Sequence, residues 1–330
     1  ADLSAFTGNY YVAIVRRDGG NSGVYIDNLI IEQIPSCVKP SSVTITNSGD
    51  TYATIAWTST EVSPLGYEIA ISTDPNFDPD TCTFLFGTGD TNSFTLPVGT
   101  LQPSTTYYVF VRTLCSASDT SIWNYFMASF GTAQIPLQVP FIVDFEDLTE
   151  NSKWQFVNRT NEWIIDTATY NSPTHSLYVS DDGYSYGTYN NSSSSIWAYR
   201  DVVFPQGDQF TISFDWKCVG EASSYDYLKV YIGDIQDVSN VLVATGPIGA
   251  SGLGGTLLAQ PNWTTYTGTL PGTYSGMTKR IYVGWREDGS STDGDPAAFD
   301  NLSIIVNCPE PTAIYVLNVE MRLIEIIKHH

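Results

Sequence analysis

One pattern stands at both ends of the chain. Near the start it reads Gly23-Val-Tyr-Ile-Asp27-Asn-Leu-Ile-Ile-Glu-Gln-Ile-Pro-Ser-Cys37-Val-Lys-Pro40. Near the end it reads Ala297-Ala-Phe-Asp300-Asn-Leu-Ser-Ile-Ile-Val-Asn-Cys308-Pro-Glu-Pro311. The upstream flanks answer each other too, Tyr11-Val-Ala-Ile-Val-Arg16-Arg-Asp18-Gly19 against Tyr282-Val-Gly-Trp-Arg286-Glu-Asp288-Gly289. Most of the chain separates Asp27 from Asp300. So long a period suits whole domains in series and not the coils of a solenoid. It predicts an excerpt from a longer array: the tail of one domain in 1–34, complete domains in 36–134 and 140–308, and the start of another domain, or a tail, in 309–330.

Of 330 residues, 42% are hydrophobic and 15% charged, which is the balance of a folding chain. The 21 Tyr, 8 Trp and 15 Phe favour strands over helices. No stretch is apolar enough to span a membrane, and no signal peptide opens the sequence; in an array it would lie upstream. A net charge of −21 repels nucleic-acid phosphates and anionic lipid, so neither nucleic acid nor membrane insertion is expected. Solubility is the plain reason for such a surface. The five cysteines (Cys37, Cys82, Cys115, Cys218, Cys308) contain no Cys-x-x-Cys pair, which argues against zinc ribbons and thioredoxin-like sites. Cys308 takes the repeat position of Cys37, so its mate is expected beyond the end of the chain. A secreted or cell-surface location, with oxidised cysteines, is expected.

Within 36–134, Tyr52-Ala-Thr-Ile-Ala-Trp57 alternates, setting Ala53, Ile55 and Trp57 on one face. Tyr67-Glu-Ile-Ala-Ile71 and Thr106-Tyr-Tyr-Val-Phe-Val-Arg112 follow at sandwich spacing. Leu101-Gln-Pro-Ser-Thr-Thr-Tyr107 resembles the tyrosine corner of fibronectin type III domains. Together with Trp57 it carries the resemblance over this region. The entry Cys37-Val-Lys-Pro40 and the exit Arg112-Thr-Leu-Cys115, followed by Ser121-Ile-Trp123, are most similar to the version found in secreted Bacteroidetes proteins. That resemblance implies a Cys37–Cys115 disulfide. Gln134-Ile-Pro-Leu-Gln-Val-Pro140 reads as a short, stiff linker.

Residues 140–308 open with Pro140-Phe-Ile-Val-Asp144-Phe-Glu146-Asp147 and close with Phe299-Asp-Asn-Leu302. Between them stand Trp154-Gln-Phe, Asn161-Glu-Trp163, Pro173-Thr-His175-Ser-Leu-Tyr178-Val, Thr211-Ile-Ser-Phe-Asp215-Trp216 and Tyr225-Asp-Tyr-Leu-Lys-Val-Tyr231-Ile. The order resembles MAM and cleaved-adhesin domains, the jelly-roll sandwiches of gingipain adhesin regions. A long Tyr/Asn/Ser loop, Gly183 to Ser195, departs from it. The expected fold is therefore all-β: a fibronectin type III sandwich, then a larger jelly-roll β-sandwich, flanked by fragments of neighbouring repeats.

Several constellations could carry chemistry. If the first and last strands of the jelly roll are neighbours, Glu146 and Asp300, with Asp144 as a third, converge as hard oxygen ligands for a structural Ca²⁺. Strand alternation would put Asp144 and Glu146 on one face. The plainer role for such carboxylates is to cap backbone N–H groups. Asp288-Gly-Ser-Ser-Thr-Asp293-Gly-Asp295 resembles a calcium loop in composition, but Phe299 stands where an EF-hand needs Glu, so a solvated turn is expected. A Ser-His-Asp triad would have to use His175, since His329 and His330 lie in the tail; His175 lies in a strand pattern that the resemblance to MAM and cleaved-adhesin domains implies is structural, and no catalytic motif is present. In the long loop, Tyr184, Tyr186, Tyr189 and Asn190 mix flat rings with an amide, chemistry that suits a sugar or a protein partner. Trp197 is expected in the core. Asp166-Thr167-Ala168 matches a short O-glycosylation acceptor pattern of Bacteroidetes, with Thr167 the acceptor.

These features predict a non-catalytic adhesin or stalk segment. Its partners would be an extracellular glycan or surface protein and the neighbouring repeats of its own array. The alternatives are an ancillary targeting region of a secreted protease or polysaccharide hydrolase, and a repeat-built surface filament subunit.

Overall fold

A computed structural model describes residues 10–14, 35–61, 64–82, 85–88, 91–124, 126–207, 209–221, 225–291 and 294–307. The first copy of the repeated pattern, with Asp27, lies outside these residues, as do Cys308 and the tail.

The smaller sandwich holds β1 (Ser41–Ser48), β2 (Ala53–Thr58), β3 (Gly66–Ser72), β4 (Leu85–Thr88), β5 (Ser93–Leu96), β6 (Thr106–Ser116), β7 (Asp119–Thr120) and β8 (Ala128–Gly131). One sheet runs β1-β2-β5; the other runs β4-β3-β6, with β7 and β8 both paired to β6. This is the fibronectin type III arrangement. Ala53, Ile55 and Trp57 point inward as the alternation requires, and Trp57 meets Tyr67 edge-on at 4.9 Å. The corner is closed by the Gln102 N–H donating to Tyr107 Oη at 2.8 Å. Cys37 and Cys115 form the expected disulfide.

The larger sandwich holds β9 (Leu137–Gln138), β10 (Phe141–Val143), a single helical turn α1 (Leu148–Asn151), β11 (Gln155–Val157), β12 (Glu162–Asp166), β13 (Ser176–Ser180), β14 (Ser194–Val203), β15 (Gln209–Cys218), β16 (Tyr227–Gly233), β17 (Ser251–Leu257), β18 (Gln260–Pro271), β19 (Thr278–Glu287) and β20 (Ala298–Val306). One sheet runs β12-β13-β20-β15-β18, with β10 also paired to β20. The other runs β11-β14-β19-β16-β17, with β9 paired to β14. First and last strands meet: Phe141 faces Ile304 and Val143 faces Leu302. Between the sheets lie Trp163, Leu177, Phe210, Ile212, Phe214, Val230, Trp285 and Phe299, all 1% exposed or less.

The two outer faces differ. Trp197, Tyr231 and Tyr282 on the β14-β19-β16 sheet are covered by Val238 and Val243 of the 234–250 segment, forming a second apolar layer. The outer face of the β12-β13-β20-β15-β18 sheet has no such apolar cluster among the described residues.

The stretch expected to be a short, stiff linker is built into the sheets. Ala133 N–H donates to the Gly49 carbonyl of the smaller sandwich (2.9 Å). The next side chain, Gln134, accepts from Arg200 Nη1 (3.1 Å) and Asp201 N–H (2.8 Å) of the larger one. Leu137 and Gln138 then pair in parallel with Val202 and Val203. Its apolar and amide side chains had strand partners in β14, a contact that the prolines in the sequence disguise.

Candidate metal centre and open ligand face

Because β10 and β15 both pair with β20, the Asp144–Glu146 turn arrives at the Asp300 end of the sheet. Asp300 is fully buried. Its carboxylate accepts N–H groups from Asn171 (2.8 Å), Ser172 (2.8 Å) and Asn301 (2.7 Å). Burial pushes its pKa up, against the opposing pull of those N–H groups. Ser172 Oγ stands 3.0 Å from both Asp300 oxygens, 2.8 Å from the Asp144 carbonyl and 3.5 Å from the His175 carbonyl. A hydroxyl has one proton to donate, so four acceptor oxygens compete for it. An all-oxygen surplus of acceptors is the donor chemistry that Ca²⁺ takes.

Backbone strain gathers at the same place. Phe145, Thr174 and Asn301 have φ of 59°, 110° and 50°. Non-glycine residues in such conformations cost of order 1–3 kcal/mol each and persist where their surroundings over-determine them. Phe145 is held by its ring on Trp154 (5.5 Å) and by Asn151 Nδ2 donating to its carbonyl (2.6 Å).

That left-handed residue corrects the expected alternation. β10 ends at Val143, and the turn at Phe145 sends Asp144 and Glu146 different ways. Asp144 Oδ1 accepts the Glu146 N–H (3.2 Å). Glu146 instead accepts from Thr174 Oγ1 (2.6 Å), above all, and from His175 N–H (2.8 Å), which hold its carboxyl below the usual carboxylate range. Asp144, Glu146 and Asp300 therefore do not close carboxylate on carboxylate. Asp300 and the Asp144 and His175 carbonyls converge on Ser172 Oγ instead, with Glu146 gripping His175 beside them. His175 Nδ1 lies 2.8 Å from Thr174 Oγ1 and 3.1 Å from Glu146 Oε2.

Among the described residues, two groups of three possible ligand side chains lie within 4.8 Å: Cys37–Glu61–Cys115 and Glu221–Asp226–Asp288. The disulfide removes the first from consideration. Asp288, expected in a solvated turn, belongs to the second.

The four residues expected to meet a ligand part company. Tyr184 is 66% exposed. Tyr186 is partly buried: its hydroxyl donates to the Pro296 carbonyl (3.0 Å) and its ring stands edge-on to Tyr178. Tyr189 is a core residue, 5% exposed, edge-on to Trp285 with its hydroxyl on Asp226 Oδ2 (2.9 Å). Its apolar ring found a gap beside Trp285 that the polar loop sequence does not advertise. Asn190 is exposed, but its backbone is tied to Asn161 in both directions.

Two residues that the sequence reading passed over complete the open face. Lys217 Nζ lies 4.2 Å from the Tyr186 ring centre and 5.3 Å from that of Trp263. Burial beside the rings lowers the Lys217 pKa. Along β18, Trp263, Thr265, Thr267 and Thr269 recur at a period of two, and the three threonines are exposed. Thr265 Oγ1 donates to Asp215, which also accepts from Asn171 Nδ2 and Asn301 Nδ2. The strip thus runs from aromatic rings and an ammonium to hydroxyls and amides, and it ends at the Asp300 cluster. Thr167 is exposed in the turn after β12.

No family model matches the sequence. No curated protein matches it. Solved structures do resemble it. One, a study of promiscuous carbohydrate-binding modules of the β-sandwich superfamily, has 11% identity and a TM-score of 0.34, and covers 82% of this chain and 100% of its own. A xylan-binding domain of Paenibacillus barcinonensis Xyn10C has 14% identity and a TM-score of 0.32, covering 50% of this chain and 92% of its own. The FN5 domain of Drosophila Lar has 22% identity and a TM-score of 0.23, covering 30% of this chain and 98% of its own.

Proposed function

We propose that this is a non-catalytic segment of a secreted or cell-surface protein, and that its larger sandwich binds carbohydrate on the open sheet face. The observation that carries the reading is the asymmetry of that sandwich. One outer face is roofed by an apolar layer, while the other presents Tyr186, Lys217 and Trp263 beside a row of hydroxyls and amides, with the exposed Tyr184 in the adjoining loop, its carbonyl accepting from Tyr178 Oη. Flat rings stack on the C–H faces of a sugar, while hydroxyls and amides match its hydroxyl groups. A structural Ca²⁺ at the Asp300 end, held by the Asp300 carboxylate and the Asp144 and His175 carbonyls, with Glu146 fixing His175 beside them, would brace this face.

The wider setting is an adhesin or stalk in which such sandwich pairs repeat, with neighbouring repeats as further partners. The short junction at Ala133–Gln134 supports a stalk, since neither residue is free to act as a hinge. Glycan-array screening of the whole chain, followed by calorimetry with Trp263→Ala and Tyr184→Ala, tests the reading. A hit weakened at least tenfold by Trp263→Ala is expected. A hit of unchanged affinity in both variants, or no hit on a broad array, would sink it.

A further inference from the structure

Away from the Asp300 end, the β15–β16 loop and the β19–β20 loop bring four carboxylates together. Glu221, Asp226 and Asp288 each offer an oxygen within 4.8 Å of the others. Glu287, the last residue of β19, adds a fourth. Its carboxyl lies against that of Asp226, and Asp226 and Asp288 act on it as like charges.

Acidic side chains that meet at an exposed turn prove nothing, but two of these are not exposed. Asp226 is 0% exposed and Glu287 is 1% exposed. Glu287 Oε1 accepts the Gly289 N–H (2.7 Å), while Glu287 Oε2 is fully buried with no hydrogen-bond partner. Leaving such an atom bare beside another buried carboxylate is costly twice over, through lost hydration and through like-charge repulsion. Burial, first, and Asp226, second, raise the Glu287 pKa to about 8.

The remaining contacts fix the cluster from several sides. Asp226 Oδ1 accepts the Asp288 N–H (3.0 Å), and Asp226 Oδ2 accepts Tyr189 Oη (2.9 Å). Ser290 Oγ lies 2.9 Å from Glu221 Oε2 and 2.6 Å from Asp288 Oδ1. Gly220, at φ +61°, lets the chain pass close over this site: a Cβ there would stand 2.3 Å from the Asp226 carbonyl oxygen.

We propose that Glu221, Asp226, Glu287 and Asp288 form a second divalent-cation site, separate from the Asp300 end and of calcium type. All ligands are hard oxygens, and their number and mixed geometry suit an ion that accepts six to eight oxygens better than one that demands a strict octahedron. The bare Glu287 Oε2 is the atom the ion satisfies. Through Asp226 and Tyr189, the ion also ties the Gly183–Ser195 loop to the sandwich.

The test uses the whole chain, stripped with chelator and titrated with terbium, with emission excited through its aromatic rings. Tyr189 and Trp285 stand beside the site with ring centres 5.4 Å apart, so bound terbium there should be sensitised. We expect calcium-displaceable emission that survives Asp300→Asn and weakens at least tenfold in affinity in the double variant Glu221→Gln/Asp288→Asn, whose side chains are only partly buried. Glu287→Gln, which takes away one ligand oxygen, should lower the terbium affinity. Emission that calcium does not displace, emission unaffected by the double variant, or emission lost only with Asp300→Asn would each overturn the proposal. So would a Glu287→Gln protein that binds terbium as tightly as the parent.

Discussion

Replacing Asp300 by Ala removes the acceptor for three backbone N–H groups, those of Asn171, Ser172 and Asn301, and for Ser172 Oγ. An orphaned buried donor costs roughly 1–3 kcal/mol. Relaxation of the 171–172 turn recovers some of this, which puts the loss at about 3 kcal/mol. For a sandwich of this size that corresponds to a Tm lower by roughly 6–12 °C. The measurement is thermal unfolding followed by near-ultraviolet circular dichroism, repeated in chelator and in calcium. If a Ca²⁺ also sits here, wild type gains about 2.7 kcal/mol more when calcium stands at 100 times its Kd, and Asp300→Ala gains little of it. Glu221→Gln/Asp288→Asn serves as the background, so that only the Asp300 end can respond. A loss below about 1 kcal/mol in chelator would refute the bonding account. An equal calcium response in wild type and Asp300→Ala would remove the ion from this end of the sheet.

Three further outcomes are expected. Replacing Cys37 and Cys115 together by Ser opens a loop with a sequence separation of 78, and should cost the smaller sandwich about 3–5 kcal/mol, seen as an earlier first transition in calorimetry. Gln134→Ala strips an acceptor from Arg200 and Asp201, and should cost about 1–3 kcal/mol in the larger sandwich, read by urea unfolding. The Asp182 carboxylate accepts from Ser185 N–H and Tyr184 N–H, which hold its pKa well below the usual range. A lowered folded pKa gives stability that is present above the unfolded value, about 4, and is lost only as pH falls through the folded one. The Tyr184 and Ser185 amide signals should therefore stay in place down to pH 4, and an inflection at pH 4 or above in a nuclear magnetic resonance titration would contradict this.

Much of the scaffold was written locally. Trp57 and Tyr107 belong to alternating strands with turn residues on either side, so period and spacing sufficed to place them. The meeting of β10 with β20 was legible because two carboxylate-bearing motifs bracket one apolar unit. The Asp300 surroundings were half legible. Its acids could be named, but Ser172 has no local signature, and it reaches Asp300 only because the chain folds back across 128 positions. The left-handed turn at Phe145 was hidden as well, since nothing short of the Trp154 contact forces an aromatic residue into that conformation. Tyr189 shows the converse error: a loop rich in Ser and Asn suggested exposure, yet one ring in it was needed to fill space at Trp285. Trp263 was legible in principle, because Trp263, Thr265, Thr267 and Thr269 share one side of a strand. Glu287 was not, because burial of an acid at a strand end depends on the two loops that close over it.

The passage from Ala133 to Gln134 bears on how such a protein would carry load. Adjacent residues are claimed by different sandwiches, so the joint has no slack to take up before force reaches the β-ladders themselves. Units joined this way in series would swing as a mast and not as beads on a cord. Each open sheet face would then project at a set bearing around the axis, and engagement by one would pre-aim the next.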